Sequence, residues 1–70
     1  MNEDLQKLGN RIKQLRIAKG YPTAEAFATQ QGIDTQLYTT YEAGVDLPLT
    51  TLYELATAFG ITMREFVEGM

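Results

Sequence analysis

The segment at residues 32–44, GIDTQLYTTYEAG, combines hydroxyl and amide side chains with helical spacing. Its uncharged polar members are Thr35, Gln36, Thr39 and Thr40. Threonine hydroxyls and glutamine amides donate and accept hydrogen bonds but carry no charge at neutral pH. The chemistry that this segment offers is therefore recognition by hydrogen bonding. The same residue types also occur on ordinary solvated helix faces, and periodicity alone does not separate the two interpretations.

Catalytic and metal-binding chemistry finds little support in the composition. The chain has no cysteine and no histidine, so it lacks the usual zinc ligands and the thiol and imidazole groups of many nucleophile-and-base pairs. Its nine acidic residues are scattered, whereas a calcium or magnesium site needs several oxygen ligands together. We therefore expect no enzymatic activity, no cofactor, no metal and no small-molecule substrate.

Charge and hydropathy set further limits on function. The formal net charge is −3 and the pI is about 4.6, whereas nucleic-acid-binding domains usually carry a basic patch. The acidic, polar N-terminus does not resemble a signal peptide, and no apolar run approaches the length of a membrane span. We therefore expect a cytoplasmic protein. Five of its six cationic residues fall within the first predicted helix: Lys7, Arg11, Lys13, Arg16 and Lys19.

The apolar spacing predicts one domain made of five short helices and no strand. The first helix is predicted over residues 4–20, because apolar residues recur at three- and four-residue steps and Gly20 follows them. Gly9 inside this helix costs about 1 kcal/mol relative to alanine, which indicates either close packing or a tolerated weakness. The predicted apolar stripe consists of Leu5, Leu8, Ile12 and Leu15.

Two helices joined by a short turn follow the first. Thr23 is the predicted N-cap of the second helix, and Asp34 that of the third. Gly32 is predicted to end the second helix and Gly44 the third. A turn of three or four residues around a glycine, with the small Ala28 where the helices come closest, is the spacing of a helix-turn-helix.

The last two helices are predicted from a capping signal and apolar periodicity. The fourth lies within residues 49–60, with an N-cap at either Thr50 or Thr51, of which only Thr51 has a glutamate three residues on. The fifth starts with a capping box formed by Thr62 and Glu65. The apolar residues of this region either complete the core or form a two-fold dimer interface. The predicted interface residues are Met63, Phe66, Val67 and Met70.

These features, taken in order, resemble one known family. The segment FATQQGIDTQLYTTYEAG at residues 27–44 is similar to the helix-turn-helix of the Cro and phage-repressor (Xre-like) regulators. The flanking segments resemble the family's first helix and its last two, so the resemblance covers about residues 7–68. It implies an all-α, five-helix, lambda-repressor-like helix-turn-helix domain over residues 1–70. The matching positions are Phe27, Ala28, Gly32, Tyr41, Glu42 and Gly44.

The resemblance also implies roles for individual residues. Arg16 is expected to pair with Glu42 and so to tie the first helix to the end of the third. The third helix is expected in the major groove of double-stranded DNA, with Leu37 near a thymine methyl group. The expected base-contacting residues are Thr35, Gln36, Leu37 and Thr40. The expected DNA-backbone contacts are Thr23, Arg11 and Thr39.

The resulting prediction is a small transcriptional regulator that binds an operator as a homodimer through its fifth helix. Two positions depart from the family pattern. Ala24 stands where a glutamine often reaches a phosphate, and Asp46 lies in a loop that usually brings lysine or arginine to the DNA backbone. These departures and the acidic pI favour an alternative, a protein-interaction module of antitoxin type on the same fold with weak or lost DNA binding.

Overall fold

The computed structural model describes residues 3–70, and this part of the chain contains five helices and no strand. The prediction of an all-α, five-helix domain is therefore confirmed. The helices are α1 (Glu3–Ala18), α2 (Ala24–Gln31), α3 (Thr35–Ala43), α4 (Leu49–Phe59) and α5 (Met63–Glu68). None of them is long and apolar enough to cross a membrane.

Three helices begin at the predicted capping residues. The side chains of Thr23 and Asp34 each accept a hydrogen bond from the backbone N–H three residues further on, at 3.1 and 3.0 Å. Thr62 and Glu65 form both bonds of a capping box, at 3.0 and 2.9 Å. Each bond satisfies a backbone donor that has no partner inside its own helix. The starts of α2, α3 and α5 are thus determined by local sequence.

The start of α4 differs from the prediction. Neither Thr50 nor Thr51 caps this helix; Pro48 occupies the N-cap position, without a side-chain hydrogen bond, and α4 begins at Leu49. The ring of Pro48 favours the observed φ of −60°, and its carbonyl accepts the first helical bond from Leu52 at 3.2 Å. The restricted backbone of proline therefore starts the helix earlier than a hydroxyl cap would have done.

The turn between α2 and α3 depends on a left-handed glycine. Gly32 has φ +72° and ψ +27°, a conformation that glycine adopts without steric cost. The next residue, Ile33, donates its N–H to the carbonyl of Ala28 at 2.9 Å and is partly buried against the core. This is the bonding pattern of a Schellman motif. The three residues between α2 and α3 thus change the direction of the chain, so that α3 does not continue the axis of α2.

The core forms around one aromatic side chain. Phe27 is completely buried, and its ring centroid lies 5.2 Å from that of Tyr21, 5.1 Å from that of Tyr38 and 4.9 Å from that of Phe59. Aromatic pairs at such separations add to the gain from burial alone. The buried apolar residues are Leu8, Ile12, Phe27, Ala28, Tyr38, Leu55, Ala56, Phe59 and Phe66.

Gly9 allows α1 and α3 to approach each other closely. A Cβ atom built on Gly9 would lie 2.5 Å from the carbonyl oxygen of Glu42 and 2.7 Å from the backbone nitrogen of Gly44. Both neighbours are backbone atoms, so they could not move aside without shifting the end of α3. Of the two explanations for this glycine, the structure therefore supports close packing.

Candidate nucleic-acid interface

The first turns of α3 present polar side chains to solvent, while the opposite side of the helix is buried. Gln36 and Thr40 lie one turn apart and are both exposed, and Leu37 beside them is 49% exposed. Thr35 is half-buried at the edge of this face. Tyr38 is fully buried on the other side. We call Thr35, Gln36, Leu37 and Thr40 the α3 face; the fold brings all four together.

The hydroxyl groups of α3 are already engaged with the helix backbone. Thr39 donates its hydroxyl proton to the carbonyl of Thr35 at 2.8 Å, and Thr40 donates to that of Leu37 at 2.6 Å. A hydroxyl has one proton, so in this rotamer both oxygens can only accept further bonds. Thr40 is thus prepared to accept from a base amino group. Thr39 is not prepared to donate to a phosphate, the role that the sequence suggested, unless its side chain rotates.

Thr23, at the start of α2, has the opposite hydrogen-bonding state. Its hydroxyl oxygen accepts from the backbone N–H of Ala26, and its proton is left for an outside acceptor. The side chain is exposed. A phosphate oxygen is such an acceptor, and the positive end of a helix dipole favours an anion at this place. Thr23 therefore retains the chemistry expected of a backbone contact, although Ala24 beside it offers no polar group.

A buried ion pair ties the end of α3 to α1. Arg16 is only 5% exposed, and its Nε donates to Glu42 Oε2 at 2.7 Å. A second guanidinium nitrogen donates to Glu42 Oε1 at 3.4 Å, and a third to the carbonyl of Tyr21 at 2.8 Å. The predicted pair is confirmed, and the bond to Tyr21, which local sequence did not suggest, extends it to the turn after α1. A two-point pair of this kind fixes orientation as well as distance.

Tyr38 packs against this ion pair with an unsatisfied hydroxyl. The hydroxyl is buried and has no hydrogen-bond partner among residues 3–70. Burial raises the pKa of this phenol well above its ordinary value of 10, and the carboxylate of Glu42, which lies near the hydroxyl without meeting hydrogen-bond geometry, raises the pKa further. The side chain is therefore neutral, and it supports α3 through its ring rather than through its polar group.

The guanidinium of Arg11 is bonded to the end of α5. Its Nε donates to the carbonyl of Phe66 and its Nη2 to the carbonyl of Glu65, both at 2.9 Å. The sequence suggested a DNA-backbone contact for Arg11. Its guanidinium instead lies against the last turn of α5, which takes two N–H groups away from any phosphate.

Of two further cationic side chains, one lies near the end of a helix and the other forms an ion pair. The ammonium of Lys19 lies beside Gly60, at the negative end of the α4 dipole, 3.4 Å from where a Cβ of Gly60 would be. Arg64 pairs with Glu68 on α5 at 3.0 Å. With Arg11 and Arg16, three of the six cationic side chains therefore bond to other parts of the fold.

The exposed charged side chains nearest to the α3 face along the sequence are acidic. No lysine or arginine occurs between Lys19 and Arg64 in the sequence. Glu25, Asp34 and Asp46 are all exposed on α2, on the cap of α3 and in the loop after α3. The carboxylate of Asp34 already stabilises α3 through its bond to the backbone N–H of Leu37. The local field therefore does not attract an anionic polymer by itself.

The C-terminal apolar residues divide into buried and exposed ones. Phe66 is completely buried in the core, so it leaves the set of expected interface residues: its side chain has no free surface for a second copy. Met63 is half-buried against the core. Val67 and Met70 are 52% and 43% exposed. These three keep apolar surface that a partner could cover.

Two surface cavities lie among the described residues at the sides of α4 and α1, and neither resembles a metal centre. The larger, about 280 Å³, lies between α4, α3 and the turn that joins α2 to α3. The smaller, about 190 Å³, lies between α1 and the C-terminal residues. Residues 3–70 contain no group of three or more side chains that could hold a metal ion. The larger cavity is lined by Gln31, Ile33, Tyr41, Thr51, Glu54, Leu55 and Ala58.

Comparison with known proteins agrees with the helix-turn-helix arrangement. No family model matches the chain, and no solved structure matches it. Over 66 residues the chain is 33% identical to a protein named control protein C.MunI from a Mycoplasma species. This match spans 93% of the chain and 89% of the relative. The chain therefore belongs to the family of this control protein, a regulatory helix-turn-helix family.

Proposed function

We propose that the chain binds double-stranded DNA sequence-specifically as a homodimer and regulates transcription by occupying an operator. The observation that carries the proposal is the α3 face. Gln36, Leu37 and Thr40 are exposed, and Thr35 is half-buried, on a helix that the Arg16–Glu42 pair and Tyr38 hold in place. A recognition helix needs both properties, exposure of its contact residues and a rigid attachment to the fold.

Each residue of the α3 face suits a particular contact in the major groove. Gln36 is exposed and has no hydrogen-bond partner among residues 3–70, so its amide is free to pair with the N6 and N7 atoms of adenine. Thr40 can accept a bond from an adenine or cytosine amino group. The exposed Leu37 offers apolar contact to a thymine methyl group. Together these contacts favour sites rich in A·T pairs.

Dimerisation would place two α3 faces on one side of the duplex. Met63, Val67 and Met70 on and after α5 supply the apolar surface for a two-fold interface. Helix-turn-helix dimers contact half-sites about 34 Å apart, which is one turn of the double helix. Pairing also offsets the thin core of a 70-residue chain.

Affinity for the phosphates would come mainly from neutral donors. Thr23 and the backbone N–H groups at the start of α2 are available, whereas three of the six cations are engaged elsewhere. A protein that makes six to ten phosphate contacts through cations loses roughly 10³–10⁵ in affinity between 50 and 200 mM salt. We expect a smaller loss here and a larger dependence on base sequence.

The proposal is tested by titrating labelled duplexes, one selected for binding and one with its bases shuffled, at two salt concentrations. The protein is expected to prefer the selected duplex at both, with weaker binding at the higher salt. Gln36→Ala should reduce this preference by about tenfold, while binding to the shuffled duplex changes little. Gln30→Ala is the matched control, since Gln30 is an exposed glutamine on α2. Equal binding of both duplexes by the unaltered protein contradicts the proposal.

A second candidate function is a protein-interaction module on the same fold. The observation that favours it is the acidic environment of the α3 face, with Asp34 and Asp46 exposed and no cation nearby in the sequence. Under this function the exposed α3 residues would contact another protein. The titration above separates the two, because only the DNA-binding protein distinguishes the selected duplex from the shuffled one.

A further inference from the structure

The C-terminal turn of α5 is bonded to a side chain of α1, which is distant in the sequence. The last carbonyl groups of any helix lack partners within it. In α5 the carbonyls of Glu65 and Phe66 accept bonds from the guanidinium of Arg11, at 2.9 Å each. Arg11 lies on α1, 54 and 55 residues earlier in the chain. A positive charge at this end of a helix is also favourable for its dipole.

Gly69 leaves the space that this guanidinium occupies. A Cβ atom on Gly69 would overlap the guanidinium group of Arg11. The φ of Gly69 is −81°, a value that any L-residue adopts. Glycine therefore leaves room here rather than serving backbone conformation, and an alanine would make the flexible guanidinium of Arg11 move. We call the contact between Arg11, Gly69 and the two carbonyls the α5 latch.

The helix that carries the proposed interface has few other attachments. It is six residues long, less than two turns, and such a helix is not stable by itself in water. Its main helix-to-helix contact is with α4, and Phe66 is its one fully buried side chain. Val67 directly follows Phe66, whose carbonyl Arg11 binds, and Met70 lies three residues further on. The positions of both side chains therefore depend on the contact between Arg11 and this turn.

We infer that Arg11 is a positioning residue for dimerisation: by holding the end of α5 it fixes the apolar surface that meets a second copy of the chain. This inference rests on the proposed function, because it assumes that α5 forms the dimer interface. It assigns to Arg11 a role that differs from a phosphate contact. Loss of the latch weakens dimer formation first and DNA binding as a consequence.

The two roles of Arg11 differ in their dependence on protein concentration. If the latch acts through dimerisation, a variant without it regains normal DNA binding when its concentration exceeds the raised dimer dissociation constant. If Arg11 contacted a phosphate, its removal would lower affinity at every protein concentration and would also reduce the salt dependence of binding.

Substitutions at two positions test the latch in the full chain. Arg11→Ala removes the guanidinium, whereas Gly69→Ala displaces it and keeps its charge. Sedimentation equilibrium without DNA should show the dimer dissociation constant raised about tenfold in each. The double variant should be no weaker than either single one, because both remove the same contact. Arg11→Lys should not restore dimerisation, because an ammonium lacks the planar pair of donors. Lys13→Ala, an exposed cation on the same helix, is the control.

Other outcomes overturn the inference. An unchanged dimer dissociation constant in Gly69→Ala contradicts it, and this variant decides the matter if Arg11→Ala does not fold by circular dichroism. Weaker DNA binding by Arg11→Ala with an unchanged dimer contradicts it as well. If the unaltered protein stays monomeric at every concentration, the inference is contradicted too. A protein that dimerises through the latch but ignores DNA sequence removes the proposed function and leaves the role of Arg11 intact.

Discussion

At the level of single residues, the direction in which a threonine of α3 donates its hydroxyl proton determines whether it can donate to a ligand or only accept from one. Thr39 and Thr40 donate their hydroxyl protons to backbone carbonyls, so both can only accept hydrogen bonds from a ligand. Gln36 has both its carbonyl oxygen and its amino group free. Discrimination between bases should therefore come mainly from Gln36. The sequence identified these residues but could not show the rotamers on which their hydrogen bonding depends.

The hydroxyl of Tyr38 provides a residue-level test of the support behind α3. It is buried without a hydrogen-bond partner among residues 3–70, so Tyr38→Phe should keep or raise the free energy of unfolding in urea, by up to about 1 kcal/mol. The raised pKa also predicts an effect of pH. Above pH 10 the unfolded phenol ionises while the folded phenol keeps its proton. Ionisation then stabilises the unfolded state, so the free energy of unfolding falls as the pH rises above 10, and it is unaffected by this group below pH 10. Tyr38→Phe should reduce that alkaline loss.

The matched control for this substitution is Tyr53→Phe, which removes the same hydroxyl from a side chain that is 56% exposed. It should change stability by less than about 0.5 kcal/mol. A loss of more than about 1 kcal/mol in Tyr38→Phe alone would mean that the buried hydroxyl has a bonding partner, such as an ordered water, and would contradict the description above.

At the level of helices, the approach of α1 to α3 sets the orientation of the α3 face. Gly9→Ala gains about 1 kcal/mol of helix propensity but places a methyl group against two backbone atoms of the α3 end. The clash should prevail and lower the free energy of unfolding by about 1–3 kcal/mol. Asn10→Ala, at the exposed neighbouring position, makes the comparison without a clash. Equal stability of the two variants in a urea titration would show that α1 and α3 can separate at no cost.

The starts of α3 and α5 were predictable from local signals. Asp34 and the capping box of Thr62 begin their helices as the sequence indicates, because each acts on a backbone group three residues away. The start of α4 was not predictable from a hydroxyl cap, because the rigid ring of Pro48 acted first. The bond from Arg11 to α5 could not be predicted either, since no local signal connects residues 54 positions apart.

At the level of the whole molecule, charge is the property that most limits the proposed function. The sequence places five of six cations between Lys7 and Lys19, and the fold then uses Arg11 and Arg16 to secure the ends of other elements. Composition gives the net charge, but only the fold shows which charges have partners. An acidic domain with few free cations can distinguish sequences only if its base contacts are well placed.

The most direct test of the central claim is to select bound sequences from random duplex DNA with the purified chain and to measure the stoichiometry on the selected site. We expect an inverted repeat with adenine in each half, half-site centres about 10 base pairs apart, and two chains per duplex. Selected DNA with no common sequence, or one chain bound to a site without symmetry, would contradict the account.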